Sequence, residues 1–147
     1  MSKAKQIGTR AETAVKNHLL SVGFTPLEAH RNVLKGSQDE GDVWLRSHRG
    51  LIVFEVKGGE RAKKASPQQI DKWMVETETE RKNADGRIGV LVTQRAGVGY
   101  PRAGEWWAYL NLGDVLFLRD CTDIAPDAYN PLVRMRLSDV VNLFNGK

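Results

Sequence analysis

Arg87-Ile88-Gly89-Val90-Leu91-Val92-Thr93 is apolar almost without a break over the length of one strand. A strand with one wet face alternates apolar and polar residues; a continuous run suits burial on both faces, so the fold must cover this strand from either side. Leu51-Ile52-Val53-Phe54-Glu55-Val56-Lys57 is a second strand of the same kind, interrupted only by its charged end. Between them, Ser66-Pro67-Gln68-Gln69 reads as a helix start. Ser66 is the N-cap, Pro67 takes the first helical position, where no N–H is required, and Gln69 takes the capping-box position. The pattern predicts a helix to about Asn83 with Ile70, Trp73, Met74 and Thr77 facing inward.

The other elements follow from the same periodicities. Ala11, Val15, Leu19 and Val22 recur at helical spacing, and Gly23 follows as a stop, so a helix is predicted over Thr9 to Val22. Leu27 to Val33 is predicted as a short strand, and Lys35 to Gly41 as a polar loop. Asp42-Val43-Trp44-Leu45 and Leu51 to Lys57 form an antiparallel hairpin across the short, glycine-ended link Arg46 to Gly50. Arg61 to Lys64 reads as a basic loop. A glycine-rich segment, Ala96 to Gly104, precedes predicted strands at Glu105 to Leu112 and Val115 to Leu118 and a terminal helix at Leu137 to Phe144. The order α-β-β-β-α-β-β-β-α gives an α/β fold, a mixed central sheet flanked by helices in one domain.

The chain has 147 residues, enough for one domain with its own core. Cys121 is its one cysteine, which excludes a disulfide framework and a thiolate zinc cluster and points to a reducing, cytoplasmic setting. Met1-Ser2-Lys3-Ala4-Lys5-Gln6 has no apolar signal region, and the apolar runs are too short to cross a bilayer, so no membrane partner is expected. His18, His30 and His48 lie at irregular spacing with no zinc pattern. Lys plus Arg number 22 against 18 Asp plus Glu, a net charge of +4, compatible with a polyanionic partner without requiring one.

The chemistry concentrates around the hairpin. Side chains alternate along a strand, so Glu55 and Lys57 share a face, opposite Phe54 and Val56. Asp42, at the start of the neighbouring strand, comes level with them. Two carboxylates drawn together repel unless a cation intervenes, and Mg²⁺, with its preference for oxygen ligands, suits the pair. A lysine beside such an ion can position or help deprotonate a water. The plainer alternative is a solvated, salt-bridged hairpin face. The apolar company of Glu55 and Lys57 favours a purposeful cluster, because buried unpaired charge is costly. Glu12 lies at the border of the first helix's apolar stripe, pointing toward the sheet or its rim.

Taken together, Gly8-Thr9-Arg10-Ala11-Glu12, Val22-Gly23-Phe24, Gly36-Ser37, Gly41-Asp42-Val43 and Phe54-Glu55-Val56-Lys57 resemble the PD-(D/E)xK nuclease superfamily, and within it the archaeal-type Holliday junction resolvases and their phage relatives. Gly41 stands where the superfamily's name has proline. The resemblance is tight from Gly8 to Lys57 and looser through the Gln69 helix, the Ile88 to Thr93 strand, the Trp106-Trp107-Ala108-Tyr109 strand and the terminal helix. It implies a restriction-endonuclease-like single domain, with a motif core over about 8–94 and closing elements over 105–147. It implies a site for Mg²⁺, with Mn²⁺ as substitute, in which Asp42, Glu55 and the Val56 carbonyl are ligands and Glu12 a third acid. Lys57 would be the water-activating base or an electrostatic stabiliser, and Gln69 a polar helper. Ser37 would belong to the loop that meets DNA, with Arg31 among the phosphate contacts.

The resemblance also implies an endodeoxyribonuclease that resolves four-way DNA junctions by paired nicks as a homodimer; the tryptophan-bearing strand and the terminal helix are the candidates for its apolar patch. Alternatives are an exonuclease-like or restriction-type enzyme of the same superfamily, or a non-catalytic DNA-binding module. Arg10, Arg61, Lys63 and Lys64, with Lys3 and Lys5, form a phosphate track if they flank the metal site and merely solvate the surface if they do not. Of Trp106 and Trp107, which face opposite sides of a strand, one is expected in the core and the other is free to stack on bases. The Arg95 to Gly104 loop is either a DNA-binding flap or a plain connection.

Overall fold

The computed structural model describes residues 2–32 and 42–144. Six strands, β1 (Ala29–Arg31), β2 (Val43–Ser47), β3 (Gly50–Lys57), β4 (Ile88–Thr93), β5 (Trp107–Asn111) and β6 (Leu132–Arg136), lie side by side in sequence order in one sheet. The β3–β4 pair is parallel and every other pair antiparallel, so the sheet is mixed. A parallel pair needs a crossover, and helix α3 (Pro67–Asn83) supplies it, preceded by the short helix α2 (Glu60–Lys63). This is a single-domain α/β fold, its sheet flanked by helices.

The β4 run behaves as its composition dictates: all six residues are buried. One face of the sheet packs Ile52, Phe54, Val90, Val92 and Ala108 against α1 (Lys3–Ser21), α4 (Leu112–Asp120) and α5 (Leu137–Phe144). The other face packs Leu91 against Ile70 and Trp73 of α3. Gly89 lets α3 approach closely, because a Cβ there would sit 3.1 Å from the Thr77 methyl and 3.3 Å from its carbonyl oxygen. Helix α3 begins as expected, with Ser66 Oγ accepting the Gln69 N–H at 3.2 Å.

Four expectations change. Helix α1 begins at Lys3, capped by Ser2 through a 3.2 Å bond from the Lys5 N–H, so Gly8 lies inside the helix and does not open it. The basic segment Arg61 to Lys64 is mostly the helical turn α2. Val115 to Leu118 is helical, within α4, because Leu118 turns fully into the core with Val115 and Phe117 packed beside it. The sixth strand is β6, whose alternating Leu132-Val133-Arg134-Met135-Arg136 forms a partly exposed edge.

The terminal helix buries Leu137, Val140 and Val141 within the chain's own core. That face is therefore closed to a second subunit. The glycine-rich segment is a plain connection: Val98, Tyr100 and Ala103 pack into the core, and a 3-10 helix spans Tyr100–Glu105. Trp106 Nε1 donates to the Val98 carbonyl at 2.9 Å, tying the segment down. No helix among the described residues is long and apolar enough to cross a membrane.

Candidate active site

The site is built where β3 outruns its neighbour. The β2 ladder begins with Val43 opposite Phe54, so Glu55, Val56 and Lys57 extend beyond it with no β2 partner. A strand edge left in this way exposes backbone donors that must find acceptors. Asp42 fills the gap. Its N–H donates to the Phe54 carbonyl at 3.0 Å, and its Oδ2 accepts the Val56 N–H at 2.8 Å. The carboxylate thus stands in for the missing strand and is fixed beside Glu55.

Helices deliver further acids from both sides of the sheet. Gly58, just past β3, has no room for a side chain: a Cβ there would lie 2.7 Å from the Ala11 Cβ. That close approach seats α1 against the end of β3 and brings Glu12 to Asp42. From the opposite face, α3 presents Glu76 and Glu80. Glu80 is only 5% exposed and shares a side-chain hydrogen bond with Glu55, itself 4% exposed. A cleft of about 650 Å³ joins Glu12, Asp42, Glu55, Val56, Lys57, Glu76 and Glu80.

Burial dominates the electrostatics. It pushes Glu55 up to about 8, with Glu80 raising it further and contact with Asp42 pulling it down. Burial and then the Asp42 charge push Glu12 up to about 7, against a smaller opposing pull from Arg31. Lys57 Nζ lies 3.5 Å from Glu76 Oε2 and 5.5 Å from the centre of the Trp73 ring. Arg31 Nη2 lies 3.6 Å from Glu12 Oε2.

The donor set fits a hard divalent cation, since every group is a carboxylate or backbone oxygen, and burial first, with the neighbouring acids Asp42 at Glu12 and Glu80 at Glu55, favours protons on Glu12 and Glu55. Among the described residues no three His, Cys, Asp or Glu side chains already surround one ion-sized point. The acids meet pairwise instead, Glu12 with Asp42, Asp42 with Glu55 and Glu55 with Glu80.

The structure therefore gathers Glu12, Asp42, Glu55, Val56 and Lys57 in one cleft, with Arg31 at Glu12. It does not gather Gln69, which sits near the start of α3 beside Arg61, Lys64 and Ser66. About eleven residues of helix, roughly 16 Å, separate Gln69 from Glu80. Arg10 is also turned away, stacked 4.2 Å over Tyr100 in a groove between α1 and the 3-10 helix. Two residues on from Arg10, Glu12 is about 200° around the helix, so the two cannot share a face. Lys63 and Lys64 pair with Glu60 at 3.1 and 3.5 Å, and Arg61 is exposed on the same turn. Ser37 lies outside the described residues, as do Gly36, Gln38, Asp39, Glu40 and Gly41.

Glu76 and Glu80 were not anticipated. The signal for Glu80 was present: Ile70, Trp73 and Thr77 mark the inner stripe of α3, and position 80 continues it. An acid at an inner position is costly unless it is hydrogen-bonded.

Fold and cleft together define the class: a single-domain α/β protein with acids and a lysine gathered at the overhanging end of one strand of a mixed sheet. Comparison with family models, with curated proteins and with solved structures found no match.

Proposed function

We propose that the chain is a divalent-metal-dependent endodeoxyribonuclease with a restriction-endonuclease-like fold, selective for four-way DNA junctions and acting as a symmetric homodimer. The observation that carries the hydrolytic reading is Asp42 bound to the Val56 N–H beside Glu55, with Lys57 on the same strand face and Glu12 arriving from α1. The junction preference and the dimer rest on the resemblance over Gly8 to Lys57.

Asp42, Glu55, Glu12 and the Val56 carbonyl would hold Mg²⁺ or Mn²⁺. A divalent ion so held supplies charge neutralisation for the scissile phosphate and a bound water of lowered pKa. The chain's own residues do the rest. Lys57, held 3.5 Å from Glu76 Oε2 and 5.5 Å from the centre of the Trp73 ring, brings a positive charge to the cleft. Its charge stabilises the phosphate oxygens as one P–O bond forms to water and the opposite P–O bond breaks. Arg31, paired with Glu12 at 3.6 Å, would orient that acid and contact a flanking phosphate.

The test is cleavage of a labelled immobile four-way junction, linear duplex and single strand with Mg²⁺, by wild type and Asp42→Asn. Paired nicks on the junction, lost in the variant, are expected. Equal cutting of all substrates would keep the nuclease and remove the junction preference. Tight binding with no cutting under any divalent ion would replace the enzyme with a DNA-binding module.

A further inference from the structure

Trp107 is held between two guanidiniums. The Arg95 carbon lies 4.0 Å and the Arg134 carbon 4.1 Å from the ring centre. Among the described residues no other ring has two cations stacked on it. Other arginines nearby are neutralised: Arg102 by Glu105 at 2.7 Å and Arg136 by Asp139 at 3.0 Å. Arg95 and Arg134 have no carboxylate at ion-pair distance among the described residues; Arg95 Nη1 donates instead to the Glu105 carbonyl at 3.3 Å. Asp71 shares a hollow of about 300 Å³ with Arg134, Tyr109 and Leu132 without pairing with that guanidinium. Two cations gathered on one indole repel each other, and an anion shared between them relieves the repulsion.

The placement is as informative as the charge. Lys57, Thr93, Trp107 and Arg136 are successive partners across β3, β4, β5 and β6. Direct partners project to the same face of a sheet, so Trp107 lies on the Lys57 face, two strands or about 10 Å away. That is roughly three base-pair rises along a duplex. Trp107 and Arg95 are half-buried and Arg134 is exposed, so the group is open to solvent.

We propose that Arg95, Trp107 and Arg134 form a nucleic-acid platform separate from the acid cleft, where the guanidiniums hold backbone phosphates of the strand leaving the cleft and the stacked planes receive an unpaired base. The proposal rests on the DNA-cleaving reading of the cleft for its choice of polyanion. It also resolves the choice between the two tryptophans: Trp106 is wholly in the core, and Trp107 is the surface aromatic.

The test is binding of a fluorescein-labelled single strand and a four-way junction to the full chain in EDTA, by anisotropy over a salt series. Arg95→Ala/Arg134→Ala and Trp107→Leu are compared with Arg119→Ala, whose arginine is paired with Asp120 elsewhere on the surface. Folding of each variant is checked by thermal melting. The platform predicts roughly tenfold weaker binding for the double variant, with the log–log salt slope reduced by between one and two, and no change for Arg119→Ala. Trp107→Leu is expected to weaken binding to the single strand while leaving the salt slope intact. Unchanged affinity and slope in the double variant overturn the proposal, whether or not Asp42→Asn abolishes cutting. Loss of binding by the double variant alongside a wild type that never cuts would sustain the platform and sink the nuclease. Poly-glutamate bound as tightly as DNA, with the same loss in the double variant, would assign the surface to an acidic protein and overturn the proposal too.

Discussion

The Asp42 carboxylate accepts the backbone N–H of Val56 at 2.8 Å, at the point where β3 has run past the end of β2. One side chain thereby does two jobs, satisfying a donor that no neighbouring strand reaches and holding a negative charge against Glu55. The same hydrogen bond separates the stability and activity effects of substitution.

Asp42→Asn keeps an acceptor oxygen for Val56 and is expected to change unfolding stability by less than about 1 kcal/mol. Asp42→Ala leaves the Val56 N–H without that acceptor and is expected to cost about 1–3 kcal/mol. On the proposed reading both should lower DNA cleavage by at least about 100-fold, since each removes a group that would hold the ion. Urea unfolding beside a cleavage assay separates the two effects. An Asp42→Asn protein that cuts at the wild-type rate contradicts the assigned role.

The acids also set a pH dependence for the metal-free protein. Glu55 is raised to about 8 and Glu12 to about 7 from an ordinary 4.5, by burial first in each case. The folded state then holds protons that the unfolded chain releases, so their stabilising contribution is complete below pH 4.5 and lost as pH rises toward 8. Thermal melts in EDTA should therefore fall between pH 5 and pH 8. Mg²⁺ should restore part of the loss at pH 8, because the cation takes the place of the protons. Glu55→Gln should flatten the profile. Melting temperatures that rise with pH in EDTA would refute this ordering.

Glu80→Gln tests the acid contributed by α3. Removing its charge from beside Glu55 is expected to stabilise the metal-free protein at pH 8 and to weaken Mg²⁺ binding by about tenfold, as loss of a group supporting a metal ligand does. Melts and calorimetric titration of the same sample read both effects. Unchanged values in both would remove Glu80 from the site.

Gly58→Ala probes how α1 is seated. The added methyl meets the Ala11 Cβ at 2.7 Å and must push the helix outward. Overpacking of this kind costs about 1–3 kcal/mol. Because Glu12 moves with α1, cleavage should fall by more than the loss of folded protein explains, and Ala11→Gly in the same chain should recover part of both. A cleavage loss that matches the unfolded fraction would confine Gly58 to packing.

Much of this architecture was legible. The two apolar runs became β3 and β4, the Ser66 cap began α3, and the Trp44–Leu45 hairpin formed in the expected antiparallel sense. In each case local chemistry and burial agree. The errors fell where they diverge. Val115 to Leu118 is four apolar residues, too few for one period to show over another, and packing of Leu118 beneath the sheet selected helix. The β6 strand alternates correctly but sits on the sheet's edge, where half-exposed residues give a faint signal. Glu12, Asp42, Glu55 and Lys57 were legible because they occupy defined positions on their elements. Arg10 joins a phosphate track only if it flanks the acids, and it stands nearly opposite Glu12 on α1, stacked over Tyr100. Gln69 was misplaced at the far end of α3 from the acids. Glu80 was missed because it lies far along the chain from the hairpin and reaches Glu55 only through the crossover that β3 and β4 impose.

The proposed enzyme rests on one requirement, that the carboxylates of this cleft hold a divalent cation. It is tested most directly by titrating Mn²⁺ into the wild-type protein and into Asp42→Asn/Glu55→Gln, with the free ion followed by electron paramagnetic resonance at pH 8. Saturable binding by wild type, competed by Mg²⁺, is expected, with at least about tenfold weaker binding by the double variant. Equal affinity in the two proteins, or no saturable binding by wild type, would contradict it and leave the cluster as a salt-bridged end of the hairpin.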